Sequence, residues 1–191
     1  MSGPSEHRSS FGDTDHAADR LELLGEVFAP PGRSVLRSLG AGAIGLAVDL
    51  GCGPGASTRL IAEELAPEVL VGLDLSEAFL ARARRRGPAA SWYRHDVTVV
   101  PFPTGPADLL YARLVLAHLP DAEAVMASWL TQLRPGGRLV IEEDDAIATD
   151  VATLSAYDDL AASLVAHRGG DLLVGRRLAQ LVAPPGYECR L

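Results

Sequence analysis

Three carboxylates close apolar runs in this chain: Asp49 in residues 44–50, Asp74 in residues 69–75, and Asp96 at the polar end of residues 91–97. Directly after the first run come Gly51, Gly53 and Gly55. Residues without a Cβ take positive φ readily and let a ligand lie against the main chain. Asp74 stands 74 − 51 = 23 residues past Gly51, near the offset of roughly 20 at which an acidic residue hydrogen-bonds a ribose diol in a strand–turn–helix nucleotide site. Further along, Tyr111, Arg113 and His118 follow another apolar run, and Glu142, Glu143, Asp144 and Asp145 form a block of acids. Such groups hold charged ligands or move protons.

Two ligand classes use a glycine turn of this kind. Gly51-x-Gly53-x-x-Ala56 satisfies the dinucleotide pattern, in which a helix N-terminus receives a pyrophosphate. Asp49, two positions before the first glycine, would repel a pyrophosphate and suits a ligand with positive charge. His118, Glu142 and Asp144 are the candidate bases; the block of acids could also line an acceptor pocket or bind a cation, and the plainer readings are a histidine packed on an apolar helix face and acids on a solvated loop. Arg20 either faces a ligand carboxylate or sits solvated on its helix. The run Arg84-Arg85-Arg86 suits the dipole at a helix C-terminus. Neither Cys-x-x-Cys nor His-x-x-x-His spacing occurs, so no metal site is expected.

The elements that must position these residues alternate. Leu21, Leu24, Val27 and Phe28 have helical spacing, Ala29-Pro30-Pro31-Gly32 ends that helix, and residues 34–39 form a second. Strands are expected over 44–50, 69–75, 91–97 and 107–113, and a fifth follows the turn Leu133-Arg134-Pro135-Gly136-Gly137. Helices are expected over 58–66, 77–86 with Ser76 as N-cap, 122–133, 153–167 and 175–182. Strands alternating with helices give an α/β chain, a doubly wound and mostly parallel sheet with helices on both faces.

The ordered series of Asp49-x-Gly51-x-Gly53-x-Gly55, Asp74, Asp96 and Leu133-Arg134-Pro135-Gly136-Gly137 resembles the motifs of class I S-adenosylmethionine-dependent methyltransferases of the small-molecule type. The resemblance covers about residues 46–145. It implies a Rossmann-like fold, S-adenosylmethionine as cofactor, and methyl transfer to a small-molecule acceptor. It also implies that Asp49 faces the methionine end and orders the loop, that Gly51, Gly53 and Gly55 admit the cofactor, and that Asp74 with Leu75 holds the ribose. Asp96 with Val97 then holds the adenine, and Arg113 lies where the methionine part and the acceptor meet. The helices over 17–40 become a lid, 44–145 the cofactor core and 151–191 C-terminal helices of one domain. Residues 186–191 look like the opening of a sixth strand, with the sixth and seventh strands of the fold missing. Two other classes stay open: an NAD-dependent oxidoreductase or dinucleotide-binding domain, and a truncated, non-catalytic cofactor-binding or dimerisation module.

With 191 residues, 48% of them apolar, the chain is long enough for one domain with a substantial core. A net charge of −8 offers no positive field to gather phosphate backbones, so nucleic acid is not an expected partner. The sequence has no Lys; every basic residue is Arg. Two cysteines without paired spacing, Cys52 and Cys189, point to a reducing, cytoplasmic setting. Residues 1–16 are expected as a flexible tail, no membrane span is expected, and a homodimer is possible.

Overall fold

The structure is a computed structural model that describes residues 12–40 and 42–190. Residues 1–11 of the expected tail lie outside the described residues. Beyond them Thr14 already caps α1 (Asp15–Val27), its hydroxyl accepting the Ala17 N–H at 3.2 Å. The second helix, α2 (Ala29–Ser38), begins at the Ala29-Pro30-Pro31 segment expected to act only as a breaker. Prolines at the first positions of a helix sacrifice no bonded N–H and bring φ already set.

Five parallel strands follow: β1 (Leu46–Leu50), β2 (Val69–Asp74), β3 (Ser91–Arg94), β4 (Ala107–Arg113) and β5 (Leu133–Glu142), in the order β3-β2-β1-β4-β5. The remaining helices are α3 (Ala56–Leu65), α4 (Glu77–Arg86), α5 (Ala122–Leu130), α6 (Ala152–His167) and the short α7 (Gly175–Leu178), with one 3-10 turn at Leu116–His118. All five residues of β1 are buried, as expected of a parallel strand covered on both faces. On one face Leu36 of α2 and Leu60 and Ile61 of α3 pack on Ala47, Leu109, Tyr111 and Val140. On the other, Trp129 of α5, Phe102, Leu116 and Val174 pack on Val48, Leu50, Leu110 and Ala112. The Trp129 indole N–H donates to the Val97 carbonyl at 2.7 Å, so this large core side chain leaves no polar atom unmet.

The chain winds outward from β1 in both directions, so the sheet order reverses between β1 and β4. A crevice opens there at the carboxyl ends of the strands. Register puts Asp49 beside Tyr111 and Arg113 beside Glu142, all on the α2–α3 side of the sheet.

Several boundaries differ from the sequence expectation. The strand expected over 91–97 stops at Arg94, where the chain turns to bring Asp96 and Val97 to the crevice. Leu133-Arg134-Pro135-Gly136-Gly137 lies inside β5, not ahead of it: the register jumps from Ala107↔Leu133 to Leu109↔Arg138, and Gly136 takes up the irregularity at φ +80°. The helix expected to 182 ends at Leu178, and residues 186–190 form no strand.

Charged pairs fasten the N-terminal helices to this core. Arg82 of α4, nearly buried, donates to both carboxylate oxygens of Glu22 at 2.7 and 2.9 Å and also to Asp19. Arg37 of α2 donates to Glu64 of α3 at 2.6 Å.

Candidate active site

A cavity of about 580 Å³ occupies the crevice at the carboxyl ends of β1, β2 and β4. Its roof is α1, which contributes Arg20, Leu21, Leu24 and Gly25. Gly25 is required for that approach: a Cβ on it would stand 2.5 Å from the Ala56 Cβ at the start of α3.

The floor is the glycine turn. Gly51 and Gly53 have φ of +67° and +53° and line the cavity. A Cβ on Gly51 would collide with Val115 at 2.6 Å, whereas at Gly53 the nearest atom is Leu21 Cδ1 at 3.7 Å, so the backbone there is open to a ligand. Gly55 does not line the cavity. It precedes α3 at φ +95°, where a Cβ would meet the Trp92 ring at 3.0 Å. Its glycine serves the turn and the packing behind it.

Asp74 braces that turn. Its Oδ2 accepts the Gly53 N–H and its Oδ1 the Ser76 N–H, both at 2.8 Å, while burial raises its pKa against these bonds. Each oxygen keeps a second lone pair, and the side chain lines the cavity beside Leu75 and Phe79. Asp96 lines the next stretch with Val97 and His95; its Oδ1 accepts the Thr98 N–H at 2.9 Å and hydroxyl at 2.7 Å.

Asp49 is placed differently from the expectation that it faces the methionine end. It is fully buried behind the turn, and its Oδ2 accepts the Ser57 hydroxyl at 2.7 Å and the Thr58 hydroxyl at 2.5 Å, which orders the first turn of α3. Burial pushes its carboxyl up to about 6 against the pull of those hydroxyls and of Arg113. Its Oδ1 and Arg113 Nη1 are both buried without a hydrogen-bond partner among the described residues. Strand alternation explains the displacement: Asp49 points to the α3 side of β1, not off its end.

Of the three candidate bases only His118 reaches the cavity, in company with Arg20 and Arg168. Burial first, then the charges of Arg20 and Arg168, push its imidazole down to about 4, so the ring is neutral at physiological pH. Glu142 lies away from the cavity under α2: it accepts the Tyr111 hydroxyl, and a Cβ on Gly32 would stand 3.2 Å from its Oε1. Asp144 also misses the cavity, and its backbone carbonyl accepts the Gly175 N–H at 3.1 Å. Glu142 is drawn inward by the Tyr111 hydroxyl, whereas Asp144 lies past the end of β5, where its main chain is tied to Gly175. Arg113 does line the cavity.

Sequence reasoning missed Arg168, an unremarkable residue past α6, and Glu143, hidden within the block of acids. Glu143 Oε1 accepts the Val115 and Leu116 N–H groups at 2.7 and 2.6 Å, and burial pushes its carboxyl up to about 7. Leu114, also on the cavity wall, has φ +56°, which no local sequence signal announces.

The methyltransferase domain family matches residues 48–141, the span from β1 to β5 that carries the turn, Asp74 and Asp96. The trans-aconitate 2-methyltransferase of Methylobacterium radiotolerans is 36% identical over 146 residues, which cover 74% of this chain and 54% of that protein. A solved S-adenosylmethionine-dependent methyltransferase from Mesorhizobium loti is 34% identical with a TM-score of 0.50, covering 59% of this chain and 53% of that one. The chain belongs to the class I S-adenosylmethionine-dependent methyltransferases. A plantazolicin methyltransferase, BpumL, solved with SAH, shares the methyltransferase fold over 92% of this chain and 75% of its own at a TM-score of 0.60 and 17% identity. The chain spans about half the length of the first curated relative it matches. No helix among its described residues is long and apolar enough to cross a membrane.

The residues present fit the family's cofactor. The main chain at Gly53 is open to a ligand, and Asp74 and Asp96 offer carboxylate oxygens along one wall for hydroxyl and amino donors.

Proposed function

We propose that this chain transfers the methyl group of S-adenosylmethionine to a carboxylate oxygen of a small polycarboxylic acid. The observation that carries this reading is the cationic wall of the cavity: Arg20, Arg113 and Arg168 line it together with a neutral His118. Arginine guanidinium groups receive carboxylates in two-pronged bonds. The trans-aconitate 2-methyltransferases among the relatives support the same acceptor class.

In this reading Gly51 and Gly53 present backbone to the cofactor, Asp74 and Leu75 hold its ribose, Asp96 and Val97 its adenine, and Asp49 orders the turn from behind. The sulfonium supplies a methyl group with a good leaving group already attached. The protein's share is alignment and exclusion of water, worth roughly 7–11 kcal/mol when two reactants are well held. A carboxylate acceptor brings its own lone pair and needs no base. Neutral His118 and withdrawn Glu142 and Asp144 are compatible with that chemistry. Self-association is supported by exposed apolar side chains on and before α6, including Val151, Leu154 and Leu160, and light scattering reads it directly.

The test is incubation of the purified chain with S-adenosylmethionine and separate panels of di- and tricarboxylic acids, phenols, thiols and amines, followed by mass spectrometry. Methyl esters from the acids alone are expected. Methylation confined to phenols, thiols or amines would sink the acceptor assignment, and tight NADH binding without S-adenosylmethionine binding would sink the cofactor.

A further inference from the structure

Immediately after β4 the chain forms one wall of the cavity, contributing Arg113, Leu114, Val115, His118 and Leu119. This wall does not rest in a relaxed conformation. Leu114 sits at φ +56°, a region that costs a residue with a Cβ roughly 1–2 kcal/mol. Its N–H is bonded to the Glu142 carbonyl at 2.9 Å. Val115 lies directly against the floor, its Cγ2 2.6 Å from where a Gly51 Cβ would be.

What holds the segment after Leu114 is one carboxylate oxygen. Glu143 Oε1 accepts both the Val115 and the Leu116 N–H, at 2.7 and 2.6 Å, while Oε2 is buried with no hydrogen-bond partner among the described residues. Burying a carboxyl group with one oxygen unmet is expensive, and the two N–H bonds to the other oxygen offset part of that cost. Glu143 itself does not line the cavity. The same segment anchors the far side: the Ala117 carbonyl accepts the Asp171 N–H at 2.9 Å, next to the stretch that carries Arg168. One side chain thus governs a wall that touches the glycine turn at one end and the arginine-bearing loop at the other.

We propose that Glu143 is a positioning residue for methyl transfer, fixing the 113–119 wall through the Val115 and Leu116 N–H groups and so setting the alignment of the two reactants. The inference rests on the methyltransferase reading above. It concerns geometry: the acceptor oxygen does the work, and charge on Glu143 strengthens the hold without taking part in chemistry.

Two variants test it. Glu143→Ala removes the acceptor oxygen, and Glu143→Gln keeps an amide oxygen in the same place. For Glu143→Ala, kcat per SAH-binding site should fall about tenfold or more, with KM for cofactor and acceptor moving less than about threefold, and Glu143→Gln should recover most of the rate. Amide hydrogen exchange gives a readout independent of turnover. In Glu143→Ala, exchange at Val115 and Leu116 should accelerate on the order of a hundredfold, with β1 amides unchanged and Glu143→Gln close to wild type. Unchanged kcat in Glu143→Ala overturns the proposal. So do equal impairment of both variants and equal acceleration of exchange in β1, which would mean a general loss of stability. If the wild-type chain methylates no acceptor, the functional reading fails by itself, and the exchange measurement still decides whether Glu143 holds the wall.

Discussion

The glycine-turn side of the cavity and its arginine side are assembled from different distances in sequence. On the first, Asp74 reaches the Gly53 N–H across 21 residues and the Ser76 N–H across two, and Asp96 reaches Thr98 across two. These contacts tie the end of β2 to the turn after β1 and order the turns that follow β2 and β3. On the second, Arg20, His118 and Arg168 come from α1, the 3-10 turn after β4 and the loop after α6, and they meet only because the sheet stacks those elements at one edge. The first side is local geometry and tolerates little change. The second is a convergence of long side chains, where single replacements alter which acceptor is held more than whether the site exists.

The sharpest way to break this contrast is Gly51→Ala. A Cβ at φ +67° and 2.6 Å from Val115 forces the turn and the wall apart, at an expected cost of about 3 kcal/mol or more in strain and displacement. SAH titration of the folded variant should show at least a hundredfold weaker binding; unaltered affinity would mean that this turn does not cradle the cofactor. Asp74→Ala comes next. It removes two backbone bonds and the remaining lone pairs, and SAH affinity should weaken by on the order of 1.5–3 kcal/mol in calorimetry.

The third prediction concerns pH. His118 is pushed down from 6.5 to about 4, so below about pH 6.5 the unfolded chain takes up a proton that the folded chain refuses, and stability is lost as pH falls toward 4. Asp49 and Glu143, pushed up to about 6 and about 7, act in the opposite direction, since the folded state binds their protons first. Comparing variants separates the contributions. Between pH 7.5 and 5, His118→Gln should gain about 2 kcal/mol relative to wild type in urea unfolding; parallel curves would remove the burial argument.

The smallest effect is expected at Arg168→Ala. Acceptor KM should rise by a factor equivalent to about 1 kcal/mol while SAH affinity stays within about twofold. Loss of SAH affinity instead would erase the distinction between the two sides.

The alternation of apolar runs with helical spacing was enough to specify the α/β order, because burial on both faces of a parallel sheet leaves that pattern wherever the chain is cut into strands. Asp74, Asp96, Gly51 and Gly53 were legible for the same reason: each lies at, or within three residues after, the carboxyl end of a strand, so its position along the chain fixes its position at the sheet edge. Asp49, Glu142 and Asp144 show where that logic stops. Position along the chain gives the edge but not the face: strand alternation and nearby hydroxyl groups turned Asp49 and Glu142 inward, while Asp144 lies past the end of β5 with its backbone carbonyl on Gly175. The left-handed Leu114, the bonds that Glu143 makes to the wall after it, and the meeting of Arg20 with Arg168 were decided by tertiary structure alone. They depend on which segments lie beside one another once the sheet is closed, and no spacing within a single segment encodes that adjacency.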